Sequence, residues 1–335
     1  MLRYLPIALA LLAVTCQPAA AQTLDAVRAT GHLACGTVES ADDWNSADQH
    51  GDLSAMGTEI CRAVATAIFG ERAQVEVVRY PAEPEALAAL KSGALPLAVG
   101  VSPGAEIAVQ YGVAFGPAIF YDTQRFMVLR QAGLNSAADL RDKLICAMNN
   151  TPSERMLRDE MTERGIGYGL QAHSEQGEMD ASVAVARCDA GSALETRLAD
   201  SRADFPANAP PFVFLPERFG LFPVVPAYRY GDQKFALIVD ATINALIEAE
   251  ALGITRDNVG AARARTDMRS ERLLGRDRTV AQALGLTPDW AAQVIANTGN
   301  YGEIFDRAVA KPFRIERGLN ALWTSGGLIH PMPLQ

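Results

Sequence analysis

The string Asn149-Asn150-Thr151-Pro152-Ser153-Glu154 carries the clearest chemical signal in this chain. Threonine can cap a helix, proline suits the first helical position, and glutamate three residues after threonine completes a capping box. Such a helix start offers unpaired amide donors and the positive end of the helix dipole, which together favour an anionic ligand group. Thr151 and Ser153 are therefore candidate ligand-binding residues, the competing reading being ordinary capping with no ligand. Catalytic chemistry has little support. No Ser-His-Asp set has motif spacing, and Gly165-Ile166-Gly167-Tyr168-Gly169 lacks the spacing of a phosphate loop. The histidines, His32, His50, His173 and His330, are scattered and no Cys-x-x-Cys pair occurs, so neither a metal centre nor a cofactor is expected.

The N-terminus sets the compartment in which any such site works. Arg3 precedes an apolar run from Leu5 to Val14, and the small residues Ala19-Ala20-Ala21 stand before Gln22. This pattern predicts a signal peptide over residues 1–21, cleaved to leave a periplasmic protein. Acylation at Cys16 is the alternative, although Thr15 occupies a place where glycine, alanine or serine is preferred. No later run approaches a membrane span. Loss of the leader removes one of 30 Lys and Arg, leaving 29 against 39 Asp and Glu and a net charge of −10. That balance argues against a nucleic-acid partner, which needs a basic face.

Cys35, Cys61, Cys146 and Cys188 remain in the exported chain. An even number in an oxidising compartment favours disulfides. Their order favours Cys35 with Cys61 and Cys146 with Cys188, ahead of the two connectivities that tie distant segments together and of four buried thiols.

The elements that must position the site follow from hydrophobic period. Leu33 to Val38 reads as a strand and Thr58 to Phe69 as a helix, with Ile60, Val64 and Ile68 on one face and Gly70 as its stop. Gln74–Tyr80, Pro84–Lys91 and Leu95–Val101 then read as strand, helix and strand. This is a βαβαβ unit with a parallel sheet. The pattern restarts after an apolar stretch from Phe115 to Leu129, with helices at Ala137–Arg141 and Pro152–Arg164 around a strand at Lys143–Met148. A helix near Gly177–Arg187 and a short strand at Asp189–Ser192 follow. The proline-rich passage Phe205–Pro226 suits extended segments and is read as the return path to the first unit. Asp232 to Leu252 is the longest periodic helix, its stripe being Phe235, Ile238, Ile243, Leu246 and Ile247, and Pro288–Asn297 is a further helix in the tail. No repeat of fixed period occurs.

Four stretches resemble the periplasmic binding proteins of polar amino-acid ABC transporters, in particular the general L-amino-acid permease branch of the family 3 solute-binding proteins. They are Cys61-Arg62-Ala63-Val64-Ala65 with Phe69-Gly70, Arg187-Cys188-Asp189-Ala190, Glu248-Ala249-Glu250-Ala251-Leu252-Gly253-Ile254-Thr255, and the tail. The tail runs Gly299-Asn300-Tyr301-Gly302-Glu303-Ile304-Phe305, then Arg317-Gly318-Leu319-Asn320-Ala321-Leu322-Trp323-Thr324 before Gly326-Gly327-Leu328. The resemblance implies an α/β, bilobal type II periplasmic-binding-protein fold with a C-terminal extension. Residues 22–122 and 229–335 would form lobe one and residues 123–228 lobe two. The lobes would close about a hinge near 122–126 and 225–229. It also implies an ABC importer receptor with a membrane permease as partner, acting as a monomer on a small molecule.

The ligand-facing segments depart from that family. The loop after Leu97 should supply hydroxyls and an arginine for the ligand's α-carboxylate. Here it reads Ala98-Val99-Gly100-Val101-Ser102-Pro103-Gly104-Ala105-Glu106-Ile107-Ala108, and no arginine or lysine lies between Lys91 and Arg125. The family's acidic partner for the α-ammonium group falls at Leu194, with Glu195 next to it but out of register. A Gly-aromatic-Asp motif appears as Ala55-Met56-Gly57. Trp44, Met56 and Leu194 would give a more apolar pocket, and with Ser102, Thr151 and Ser153 they form the expected binding set. Core packing is the competing reading for Trp44 and Met56. The inference is an atypical small solute rather than a free amino acid. The alternative is an accessory, sensor or dehydratase-like protein on the same scaffold.

Overall fold

The computed structural model describes residues 23–38, 53–205, 211–276 and 278–333, apart from the side chain of Asp204. After helix α1 (Thr23–Thr30) the chain alternates β1 (Leu33–Val38), α2 (Ser54–Phe69), β2 (Val75–Tyr80), α3 (Glu83–Ser92), β3 (Leu97–Val101) and α4 (Ala105–Tyr111). Two strands follow, β4 (Val113–Phe115) and β5 (Phe120–Leu129). A second alternation holds β6 (Leu144–Met148), α5 (Pro152–Glu163), β7 (Gly169–His173), α6 (Gln176–Ala184), β8 (Ala190–Leu194) and α7 (Glu195–Asp204). Strands β9 (Phe212–Phe214) and β10 (Phe219–Arg229) then lead into α8 (Gln233–Ala251). The tail is helical: α9 (Val259–Ala262), α10 (Met268–Leu273), α11 (Thr279–Leu284), α12 (Trp290–Thr298), α13 (Tyr301–Phe305) and α14 (Lys311–Phe313). Among the described residues no helix is long and apolar enough to cross a membrane.

The strands join in the order β2-β1-β3-β10-β5-β8-β6-β7, with β4 beside β10 and β9 beside β5. β1 is parallel to β2 and β3, and β6 is parallel to β7 and β8. Between these parallel halves run β10 and β5, antiparallel to each other and to the strands flanking them. Their ladder pairs Phe219 with Gln124 and Val224 with Phe120. The two long strands are therefore what joins the halves. The paired stretch of β10 lies a few residues before the expected 225–229.

The described part of the proline-rich return path contributes the extended strands β9 and β10, as its composition predicts. β10 nevertheless carries Pro223 and Pro226 within a strand flanked on both sides, where each lacks a ladder donor. Register shifts between Phe219 and Phe222 and between Val225 and Pro226 absorb them.

Helix α8 shows why the sequence folds this way locally. Its expected stripe, Phe235, Ile238, Ile243, Leu246 and Ile247, is buried. The Asp232 carboxylate accepts from the Phe235 amide at 3.2 Å and from the Thr23 amide at 2.6 Å, capping the helix and anchoring α1. α8 packs with α2, α12 and α13 into one extended apolar core that also takes in Leu33, Leu97, Val99 and Trp290. A smaller cluster, centred on Leu87, Leu90, Leu95 and Val225, covers the other face of that half-sheet. The second half has two compact clusters instead. One gathers Phe126, Val128, Leu157 and Leu215, the other Met127, Met179, Leu198 and Phe212.

Both local cysteine pairs are disulfides: Cys35–Cys61 joins β1 to α2, and Cys146–Cys188 joins β6 to the segment before β8, with Cα separations of 5.9 and 5.8 Å. Each stays within its half. The expected helix at Ala137–Arg141 is a 3₁₀ turn over Ala137–Leu140, capped reciprocally by Ser136 and Asp139. Helices α4 and α7 have no counterpart in the sequence reading.

Candidate functional site

The start of α5 has the N-cap that its sequence predicts, without the full capping box. Thr151 is the N-cap, its hydroxyl accepting from the Glu154 amide at 2.9 Å and donating to the Met148 carbonyl at 3.0 Å. The Glu154 carboxylate reaches back to the Asn150 amide at 2.7 Å, one residue before the usual capping-box partner. Asn150 has φ +58°, a left-handed conformation that asparagine tolerates better than most residues. The Arg158 guanidinium on Glu154, at 2.6 Å, holds that carboxyl below the usual carboxylate range. Thr151 and Ser153 are both buried.

A residue that the sequence reading passed over supports this helix start. Gln124, in β5 and fully buried, donates from Nε2 to the Ser153 carbonyl and to the Ser192 hydroxyl, both at 2.9 Å. One amide side chain thus ties the crossing strand to α5 and β8. Its Oε1 has no partner among the described residues.

Leu194 ends β8, opposite Gln124 in the ladder, and is buried. Glu195, the first residue of α7, is committed elsewhere. It forms an ion pair with Arg125 of β5 and lies 3.4 Å from Arg218 and from the Thr123 hydroxyl. The Arg125 guanidinium also donates through Nε to the Leu215 carbonyl at 3.2 Å. Burial lowers the pKa of Arg125, and the neighbouring Glu195 carboxylate opposes that shift. Thr196 donates its hydroxyl to the buried Asp122 carboxylate. The acidic side chain next to Leu194 is thus part of a charged network on the crossing strands.

In the first half, Ser102 follows β3 and is half-buried, its amide donating to Glu83 Oε1 at 2.9 Å. Gly100, at φ +100°, takes a backbone conformation that other residues rarely adopt. Glu106 is exposed on α4. Met56, also of the expected set, is wholly buried in the large core, in keeping with the packing role weighed against ligand contact. The cause is the close approach of α2 to the sheet. A Cβ at Gly57 would lie 3.0 Å from Thr37 Cγ2, a tight contact that glycine avoids. Trp44 lies outside the described residues.

The tail strings prove to be structural supports for the crossing strand. Asn320 accepts from the Tyr121 amide at 2.7 Å and donates to the Tyr121 carbonyl at 3.0 Å, imitating a neighbouring strand. The Tyr301 hydroxyl donates to the Ile119 carbonyl at 2.9 Å. Arg317 pairs with Glu250 at 3.0 Å and lies 4.8 Å from the Phe305 ring centroid. Arg202 of α7 reaches the Phe313 carbonyl at 2.7 Å, so the tail touches the second half as well.

His173 lies beside a disulfide. Its Nε2 is 3.2 Å from Cys146 Sγ, and the donor atoms of Cys146, His173 and Cys188 lie within 4.8 Å of one another.

No family model matches the chain. The general L-amino acid-binding periplasmic protein AapJ of Rhizobium johnstonii is 34% identical over 331 residues, covering 97% of this chain and 96% of that one. The glutamate/glutamine/aspartate/asparagine-binding protein BztA of Rhodobacter capsulatus is 34% identical over 334 residues, covering 97% of each. Among solved structures, a periplasmic binding protein of an ABC transporter from Brucella ovis, with glutathione bound, superposes with a TM-score of 0.75 at 32% identity, over 94% of this chain and 100% of that one. A substrate-binding domain of a putative amino acid ABC transporter from Streptococcus pneumoniae shares the fold at 17% identity and a TM-score of 0.52, over 66% of this chain and 95% of its own. With its mixed α/β halves, two antiparallel crossing strands and similarity over nearly its whole length, this chain belongs to the family of periplasmic binding proteins of amino-acid ABC transporters.

Proposed function

We propose that this chain is the exported, periplasmic receptor of an ABC importer, capturing a small solute other than a free α-amino acid and delivering it to a membrane permease without chemical change. The observation that carries this reading is the condition of the amino-acid clamp. The loop around Ser102 has no cationic side chain, Leu194 is apolar, and glycine stands at position 57 where the family has an acid. Glu195, the nearest carboxylate to Leu194 in sequence, is engaged by Arg125 and Arg218. A charge-assisted hydrogen bond contributes about 1.5–3 kcal/mol. Losing two such contacts weakens binding by about 3–6 kcal/mol, or roughly two to four factors of ten.

The start of α5 retains an anion-favouring geometry, so the solute carries a carboxylate or similar group facing Thr151 and Ser153. Ser102 and Leu194 complete the pocket in this reading, and residues 22–122 with 229–335 close on residues 123–228 about β5 and β10. The glutathione of the Brucella ovis protein makes peptide-linked amino acids, in which an α-ammonium or α-carboxylate is tied up in an amide, the first class to test. A thermal-shift screen with glutathione, short peptides and free amino acids tests it. Binding at a hundred times the dissociation constant adds about 2.7 kcal/mol of stability. Stabilisation by an amide-linked solute is expected. Stabilisation confined to free α-amino acids overturns the reading.

A further inference from the structure

We propose that Cys146, Cys188 and His173 form a second site, separate from solute binding, which in its reduced state holds one thiophilic divalent cation of the zinc class. The two disulfides differ in what surrounds them. Both pairs sit in apolar clusters, but among the described residues the one histidine–cysteine cluster is at Cys146 and Cys188. Parallel pairing of β6 with β7 sets Met148 beside His173 and Cys146 beside Gln171. The imidazole Nε2 faces Cys146 Sγ at 3.2 Å, and Gln171 Oε1 is 3.9 Å from Cys188 Sγ. All three donors are buried.

The chemistry balances simply. A dithiol reductant breaks the Cys146–Cys188 bond, supplying two electrons and two protons, and is itself oxidised to a disulfide. The cation then displaces the two thiol protons and takes both thiolates with the neutral imidazole. Two thiolates and a divalent ion carry no net charge, which is what a buried site tolerates. Zinc accepts this S₂N set in a tetrahedron, with bonds of about 2.3 Å to sulfur and about 2.0 Å to nitrogen. Only the sulfurs need to move apart, because the imidazole already stands against one of them. The fourth position falls to water or the Gln171 amide oxygen. Glu178, on α6, has its Oε2 3.8 Å from His173 Nδ1, where an outer partner orients a metal-bound imidazole. It is also the solvent-facing side of the cluster, its side chain being 61% exposed. His173 accepts from the Asn149 amide through its carbonyl at 2.8 Å, so the site lies directly behind the loop that leads into α5.

The full chain, reduced with dithiothreitol and desalted under nitrogen, is titrated with zinc and separately with cobalt(II), whose thiolate charge-transfer absorption reports the ligands. One equivalent is expected for the reduced protein and none for the oxidised protein. His173→Gln weakens the reduced form by about 100-fold or more, beyond the 10–100-fold that an outer partner is worth. Cys35→Ser/Cys61→Ser keeps the cobalt spectrum and Cys146→Ser/Cys188→Ser loses it. The oxidised His173→Gln protein provides the check on folding. Should reduction itself loosen the chain, zinc restores the near-UV circular dichroism of the natural sequence and not that of His173→Gln. Equal binding in both redox states, binding that survives His173→Gln, or a spectrum that follows Cys35 and Cys61 overturns the proposal.

Discussion

The half of the molecule built on β1–β4 and the half built on β5–β9 share an alternating plan and are stabilised differently. In the first, α2, α8, α12 and α13 bury one large continuous apolar body against the sheet, with a smaller cluster on its other face. In the second, the apolar residues divide into two small clusters, and the junction with the first half is lined by Asp122, Arg125, Glu195 and Arg218. Each half has one disulfide, with cysteines 26 and 42 residues apart. Loop-closure entropy makes these nearly equal, at about 3.5 and 3.9 kcal/mol. The difference between the halves therefore lies in their surroundings. Burial secures the first half, whereas the second depends on specific polar and covalent links, which also places its chemistry near the α5 start.

Removing the disulfides one at a time should break that equality most visibly. Cys146→Ala/Cys188→Ala costs about 4 kcal/mol and gives denaturant unfolding in two steps, because the small clusters of the second half melt first. Cys35→Ala/Cys61→Ala costs about 3.5 kcal/mol and leaves a single step. A single transition in both variants contradicts the contrast.

Next in size is Glu195→Ala, which leaves Arg125 buried without its carboxylate and costs about 3 kcal/mol. Glu195→Ala combined with Arg125→Met recovers much of that loss, as a thermal-denaturation double-mutant cycle would show. Equal losses in the single and double variants remove the network from the account. Asn320→Ala removes two hydrogen bonds to Tyr121 and costs about 2 kcal/mol. Hydrogen exchange at the β5 amides should rise in that variant, and unchanged exchange would show that the tail does not support the crossing strand.

Much of this architecture is legible in the sequence where burial imposes a period. The α8 stripe and its stop at Gly253, the strands on either side of α2, and the local cysteine order all have local signals. Helix α7 has none of comparable strength, since Glu195–Asp204 offers few apolar residues and its place is set by contacts with β5 and β8. Pairs such as Tyr121 with Asn320, 199 residues apart, or Cys146 with His173, 27 apart on neighbouring parallel strands, leave no mark in a linear pattern. At the candidate site the helix start was legible through Thr151, Pro152 and Glu154. The role of Gln124 was not, because it stands in the polar run Asp122-Thr123-Gln124-Arg125, which looks like the exposed part of an edge strand.

The smallest effect sharpens the view of the first half as a body held by burial. Burial pushes the Asp240 carboxyl up to about 6, opposed by the hydrogen bond from the Tyr228 hydroxyl at 3.0 Å. A folded-state pKa above the ordinary value of 3.8 means that the native protein takes up a proton first as pH falls. The contribution of Asp240 to stability therefore grows as pH drops from about 6 toward 4, and is at its low plateau above 6. Asp240→Asn should stabilise the protein by about 1 kcal/mol at pH 8, allowing for solvent screening, and the gain should vanish near pH 4. A gain that is the same at both pH values contradicts the assignment.

The central claim, a receptor whose fold is that of the amino-acid binders and whose amino-acid clamp is gone, is tested most directly by calorimetric titration of the purified protein. Glutamate, aspartate, glutamine, leucine and arginine form one panel and glutathione stands beside it. The account predicts dissociation constants in the millimolar range or weaker for every free amino acid. Micromolar binding of any one of them would contradict it.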